Sequence, residues 1–277
     1  MYYYQMDAML GIIYPAHCPV CGQILLDPMR GNRARASHNN FFHASQQMIE
    51  NMKCRPPEIS DLICKPCFLR LPFILEPYCM ICGRQLENPL SERCDDCKRY
   101  PHFFTETRAV FSYKGVVQQS LYQLKYRGRK EYARFFAAAM ACYLSPWIQT
   151  RRVTAIVPVP LHKSRYKQRT YNQAKEIAVR LGEYLNIPVY SDLLIRTKKT
   201  IAQKELSRSQ RIQNLTDAFQ IHPKYRIGNR LEMRLQQECI LLVDDIYTTG
   251  STVDAAASVL LSAGCPRVFV GAVAVTG

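Results

Sequence analysis

Residues 240–252 read Ile-Leu-Leu-Val-Asp-Asp-Ile-Tyr-Thr-Thr-Gly-Ser-Thr, and no other stretch of the chain restricts the fold so tightly. Ile240 to Val243 are apolar without alternation, which suits a strand buried on both faces of a parallel sheet. The run continues into two adjacent carboxylates, Asp244 and Asp245, then Ile246, Tyr247 and a turn made of Thr248, Thr249, Gly250, Ser251 and Thr252. Ser251 or Thr252 opens a helical pattern that reaches Leu261, with Gly264 just beyond it. Strand, tight turn and helix start together form an anion cradle. The first N–H groups of a helix have no intrahelical acceptor, and a glycine in the turn lets a ligand approach the backbone closely. Asp244 and Asp245 stand just ahead of the cradle, where carboxylates accept hydrogen bonds from hydroxyl groups. A phosphate beside two hydroxyls describes a ribose 5-phosphate. No Gly-Lys-Ser or Gly-Lys-Thr occurs in the chain, which excludes a nucleotide P-loop.

A second constraint comes from cysteine. Eight of the 12 cysteines form four CxxC pairs: Cys18/Cys21, Cys64/Cys67, Cys79/Cys82 and Cys94/Cys97. Two-residue spacing lets both thiolates of a pair face one ion, and two pairs complete a tetrahedral shell around Zn²⁺. Sequential pairing yields one site from Cys18, Cys21, Cys64 and Cys67 and another from Cys79, Cys82, Cys94 and Cys97. The spacing also permits a cross-braced arrangement. With sulfur in all four positions no place is left for water, so both zincs are expected to be structural. The stretch between Cys21 and Cys64 reads as an inserted loop over about 23–62, rich in Asn, Ser, His and Arg and containing Cys54. Cys142 and Cys239 fit buried apolar patterns, Cys265 follows the last helix, and His17 reads as a surface or turn residue, with replacement of a cysteine ligand as the alternative.

The length of 277 residues accommodates one α/β domain and a smaller module, and 48% hydrophobic residues allow a core without disulfides. No segment approaches the roughly 18 apolar residues of a membrane span. The apolar stretch Met9–Tyr14 lacks the basic flank and cleavage site of a signal peptide, so a cytoplasmic protein without membrane insertion is expected. The net charge of +15 is uneven. Lys and Arg outnumber Asp and Glu by 18 to 7 over residues 151–238 but stand at 1 to 3 over 239–277. Such a basic band favours polyanions, whether a pyrophosphate or a nucleic acid.

From about residue 106 the texture alternates between strand and helix. Thr107–Tyr113, Val153–Val159, Cys239–Val243 and Val268–Val275 read as strands. Val117–Tyr126, Glu131–Leu144 and Asn172–Leu185 read as helices, the last with Asn172 as its cap. This order predicts parallel βαβ units with ligands beyond the C-terminal strand ends, so 158–163 and 244–252 are expected to share a cleft. Residues 196–214 are too polar for a core element. Tyr113, Tyr122, Tyr126 and Tyr171 lie among basic residues and offer rings to stack on bases, although burial in the core is the more ordinary place for each.

The strand–Asp–Asp–turn run resembles the phosphoribosyl pyrophosphate motif of type I phosphoribosyltransferases. That resemblance implies Asp244 and Asp245 on the ribose hydroxyls, and Tyr247, Thr248, Thr249, Gly250, Ser251 and Thr252 around the 5-phosphate. Three further blocks narrow it. They are Leu124-Lys125-Tyr126-Arg127-Gly128-Arg129, Val157-Pro158-Val159-Pro160-Leu161 with Arg169-Thr170-Tyr171-Asn172-Gln173-Ala174, and Arg196 through Ala218-Phe219. Together with the cysteine pairs, these resemble the ComF family of competence proteins over nearly the whole chain. The resemblance implies a double zinc ribbon over 1–104 and a type I phosphoribosyltransferase-like parallel sheet with flanking helices over 105–277. It also implies a pyrophosphate loop at Pro160, Leu161, Lys163 and Arg165, and a closing loop carrying Arg196, Gln203, Arg208 and Arg211. Two structural Zn²⁺, and Mg²⁺ arriving with phosphoribosyl pyrophosphate, are the expected cofactors. The expected chemistry is pentosyl transfer to an unknown acceptor, with no catalytic residue indicated, in a protein of DNA uptake and natural transformation. The alternative is a non-catalytic module that binds single-stranded DNA or docks other competence or recombination proteins. Thr170 departs from the family, which usually has Gly there, and the 23–62 insert is long.

Overall fold

A computed structural model of the chain describes residues 16–25, 59–197, 218–225 and 235–277. The strands are β1 (Glu106–Ser112), β2 (Ala155–Pro158), β3 (Leu194–Arg196), β4 (Phe219–Ile221), β5 (Cys239–Tyr247) and β6 (Arg267–Val275). The α-helices are α1 (Lys65–Phe68), α2 (Asp95–Arg99), α3 (Gly115–Tyr126), α4 (Tyr132–Thr150), α5 (Lys163–Arg169), α6 (Gln173–Leu185) and α7 (Ser251–Ser262). Four strands pair in parallel in the order β1-β6-β5-β2, and β3 pairs antiparallel with β4 apart from them. The α/β class read from the alternating pattern is therefore the observed one.

β5 explains its own lack of polar alternation. Cys239, Leu241 and Val243 enter the core formed with α3, α4 and α6. Ile240, Leu242 and Tyr247 enter a second core formed with α7, β3 and β4. Alanine lets helices settle closely on such a sheet: Ala137–Ala141 in α4 and Ala255–Ala257 in α7 are all buried. β5 runs on past Val243 because Asp244, Ile246 and Tyr247 still pair with Ala272, Ala274 and Val275 of β6. α4 likewise continues beyond Leu144 to Thr150, with Pro146 inside it. The helix α5 and the pair β3–β4 lay outside the sequence expectation, being short and polar or split by the 198–217 stretch.

Both sheet edges are covered. β1 was read as an alternating edge strand; it does lie at the edge, yet residues 106–111 are buried. The segment 72–74 runs antiparallel to it, with Ile74 N–H donating to Val110 O at 3.0 Å and Ser112 N–H to Pro72 O at 2.8 Å. Beyond β2, Ile156 N–H donates to Pro188 O and Tyr190 N–H to Ile156 O, each at 2.9 Å. The cysteine-rich segment also shares both cores: Ile63, Cys67 and Leu71 pack in the first, Ile74, Cys79 and Phe104 in the second. Among the described residues no helix is long and apolar enough to cross a membrane.

Candidate functional site

The 248–252 turn lies between β5 and α7. Gly250 is the N-cap of α7 with φ 80° and ψ −12°, a left-handed conformation that strains any residue with a Cβ. A methyl group there would also overlap the Tyr247 hydroxyl and press on the His102 ring. No side chain caps the helix, so the amides of its first turn are left to a ligand or solvent. Thr248 and Thr249 are exposed, Ser251 is buried, and Thr252 is half-buried. The hydroxyls of Thr249 and Ser251 lie 3.0 Å apart. Tyr247 is buried beneath the turn, edge-on to Phe104 at 6.1 Å, and so supports the turn from below.

The two acids stand among cations. Asp245 pairs with Lys125 Nζ of α3 at 3.0 Å, both side chains largely buried. Asp244 accepts the Asp245 N–H at 2.8 Å. Burial, together with the neighbouring Asp245 charge, pushes the Asp244 carboxyl up to about 7, against the opposing pull of Lys125 and Arg196. Arg196 is itself pushed down, first by burial and then by the like charge of Arg165, with Asp244 acting in the other direction. Its guanidinium lies over the Phe219 ring at 5.2 Å. Lys125 of α3 and Arg196 of β3 thus act on the acid pair, with Arg165 of α5 close enough to act on Arg196.

The expected pyrophosphate loop begins beside the same strand end. Pro158 is in register with Val243, and Val159 N–H donates to Val243 O at 2.9 Å. Pro160 and Leu161 are half-buried, Lys163 opens α5, and Arg165 on that helix is exposed. Asn172 caps α6 by accepting the Ala174 N–H at 3.1 Å, and its amide donates to Val159 O at 2.9 Å. One side chain thereby ties a helix start to the loop. Gln203, Arg208 and Arg211 lie outside the described residues.

The tyrosines divide. Tyr171 is buried with its hydroxyl on Leu124 O, burial pushing it up to about 12, and Tyr113 is half-buried. Tyr122 and Tyr126 are exposed, with ring centroids 5.0 Å apart. Arg169 lies 4.8 Å over the Tyr126 ring and donates to its hydroxyl at 2.9 Å.

The cysteines resolve into the sequential pairing: Cys18, Cys21, Cys64 and Cys67 form one cluster, and Cys79, Cys82, Cys94 and Cys97 the other. Within each cluster the sulfurs lie within 4.8 Å of one another. Each is built alike. The first pair sits on a tight turn whose glycine, Gly22 or Gly83, has positive φ and donates to Cys18 O or Cys79 O. The second pair straddles a helix start, with Cys64 and Cys94 as N-caps of α1 and α2. Crowding lets one thiol ionise at its neighbours' expense: contact with Cys82 pushes Cys79 down, and contact with Cys79 pushes Cys82 up to about 12. A divalent cation removes that penalty, so the donor set fits Zn²⁺ with no open position.

Two residues escaped the sequence reading. His102 Nδ1 lies 2.7 Å from Asp254 Oδ2 of α7, with side chains only 3% and 0% exposed. Its Nε2 lies 3.6 Å from Cys97 Sγ, and Phe103 N–H donates to Asp254 Oδ1 at 3.0 Å. Thr248 and Thr249 line one small crevice with Cys82, Cys94, Cys97 and His102. The second cluster therefore abuts the turn. A carboxylate in a first helical turn is so common that Asp254 carried no signal of this contact.

No family model matches the chain. Competence protein F of Haemophilus influenzae is 28% identical over 197 residues, 70% of this chain and 82% of the relative. DNA utilization protein YhgH of Salmonella typhimurium is 32% identical over 198 residues, 69% of this chain and 81% of the relative. Competence protein ComFC of Bacillus subtilis is 26% identical over 210 residues, with 74% and 80% covered. With this identity and coverage, and with two four-cysteine clusters beside a parallel α/β sheet, the chain belongs to the ComF family of competence proteins.

Proposed function

We propose that the protein binds phosphoribosyl pyrophosphate at the 244–252 run and works in DNA uptake, as the names of its relatives suggest. The observation that carries the binding reading is the helix start at Gly250, without a side-chain cap, directly beyond two acids that face Lys125 and Arg196. Free main-chain amides at one end and basic side chains nearby suit an anion with several charges. In this reading Asp244 and Asp245 take the ribose hydroxyls and Thr248–Thr252 hold the 5-phosphate. The 160–165 segment meets the pyrophosphate. Mg²⁺ comes with the ligand and neutralises charge on its pyrophosphate oxygens. The associated reaction class is pentosyl transfer. The bond from the anomeric carbon to pyrophosphate breaks, its electron pair leaves on pyrophosphate, and an acceptor nucleophile takes its place. Isothermal titration with phosphoribosyl pyrophosphate and Mg²⁺ tests the binding step. Binding by wild type and its loss in Asp245→Ala support the reading; a wild type that gives no heat, or a variant that binds unchanged, removes it.

A second reading, single-stranded DNA binding, is favoured by Tyr122 and Tyr126, two exposed neighbouring rings with Arg169 against one of them. Stacking on such rings contributes about 1–3 kcal/mol per base. Oligonucleotide affinity measured against salt should fall with a log–log slope of about −0.7 per phosphate neutralised. A flat slope, or a Tyr126→Ala variant with unchanged affinity, counts against this surface. The two activities are compatible in one chain.

A further inference from the structure

We propose that the second four-cysteine cluster sets the position of the phosphate turn through His102 and Asp254, which act as positioning residues for the ligand's 5-phosphate; this rests on the phosphoribosyl pyrophosphate reading above. The His102 ring stacks on Phe104, with centroids 4.5 Å apart, and touches three further groups. Its Nε2 is against Cys97 Sγ, its Nδ1 is against Asp254, and its edge borders Gly250. Asp254 in turn joins the start of α7, its N–H donating to Gly250 O at 2.8 Å. One imidazole thus spans from a cysteine of the cluster to both the turn glycine and the first turn of the helix.

A second strut runs in parallel. Arg84, whose carbonyl accepts the Cys79 N–H at 2.8 Å, donates through Nε to Thr276 O at 3.1 Å. Thr276 N–H then donates to Tyr247 O at 3.0 Å, at the other end of the turn. Metal-ordered cysteines would thereby clamp the turn on both sides.

Packing alone does not account for this choice of residues. An apolar pair would fill the same volume without the desolvation penalty of a buried carboxylate. The polar pair has a directional use instead. A carboxylate in the first turn of α7 opposes a phosphate at that helix start, and the His102 ring with the Phe103 N–H holds Asp254 to the cluster side. Cluster and cradle then move as one body, and each ligand stabilises the arrangement that the other needs.

Coupling of this kind is reciprocal, which supplies a test beyond turnover. Zinc-loaded protein is titrated with a chelator, with and without saturating phosphoribosyl pyrophosphate, and thiol release is followed by alkylation and peptide mass spectrometry. Ligand should raise the chelator concentration needed to expose Cys79, Cys82, Cys94 and Cys97 by about tenfold, and that for Cys18, Cys21, Cys64 and Cys67 by less. His102→Phe preserves the stacking on Phe104 but loses both polar contacts. It should keep two zincs per chain, bind the ligand about tenfold more weakly and abolish the protection. His102→Gln, which can still reach Asp254, should fall between. A wild type that binds ligand without any shift in the second cluster's titration overturns the proposal and leaves the binding reading intact. A wild type that binds no ligand overturns both, and the wild-type titration decides alone if His102→Phe does not fold.

Discussion

Asp244 carries the most informative charge in the molecule. A free aspartate titrates near 3.9, whereas burial and the adjacent Asp245 push this one up to about 7. Between those values the folded state binds the proton that the unfolded state has released. Stability should therefore fall as pH rises from about 4 to about 7, and level off above. Affinity for a ribose ligand should move the other way, because the ionised carboxylate accepts hydroxyl hydrogen bonds on both oxygens and more strongly than the acid does. Urea unfolding at pH 5 and pH 8, for wild type and Asp244→Asn, checks the first effect: the variant should lose the difference. Ligand titrations at the same pH values check the second. A wild type equally stable at both pH values would place Asp244 in a wetter setting than the one described. The acids themselves were legible in the sequence because two carboxylates after a buried strand are rare. Lys125 was legible only as part of a motif, since nothing along the chain pairs a helix lysine with a strand 120 residues later (Lys125 to Asp245).

Among the elements, α5 shows how a local sequence departure is accommodated. Thr170, the position at which the resemblance implies glycine, ends α5 with φ 65° and ψ −14°. A left-handed residue with a Cβ costs roughly 1–2 kcal/mol, and β-branching makes it an uncommon choice. The chain accepts this because Asn172, two residues on, must cap α6 and reach back to Val159 O. That fixes where the link between the helices has to turn. Thr170→Gly should therefore stabilise the protein, by about 1 kcal/mol once the extra freedom of unfolded glycine is deducted. Chemical denaturation measures it, and a destabilised variant would mean that the Thr170 side chain contributes more than its strain. α5 itself was hidden from pattern reading, because Lys163-Ser-Arg-Tyr-Lys-Gln-Arg169 shows neither an apolar stripe nor a carboxylate cap. Its cap is His162, which accepts the Ser164 N–H, a role that histidine seldom advertises. By contrast α6 was legible in full, from Asn172 to Leu185, because its apolar residues recur at helical spacing.

At the scale of the whole molecule, the change of texture near residue 105 is not a gap in packing. Ile63 and Leu71 lie in one core with α4, and Ile74 and Phe104 lie in the other with β5 and β6. The 72–74 segment also caps the edge of β1, which would otherwise present unpaired N–H and C=O groups. Relative magnitudes set the consequence of metal loss. A four-thiolate zinc site contributes about 10–16 kcal/mol of apparent binding energy, while a whole domain is stable by about 5–15 kcal/mol. Removing zinc from clusters that share both cores should therefore unfold the sheet along with the cysteine-rich segment, in one cooperative step. Hydrogen exchange before and after chelation at neutral pH checks this at the amides of β5 and β6, the longest pairing in the sheet. If those amides stay protected while 59–104 exchanges freely, the cores are separable and the zinc sites serve their own segment alone. If they are released together, the cysteine clusters hold up the strand ahead of the 248–252 turn, as expected where a histidine beside the second cluster contacts the helix that comes after it.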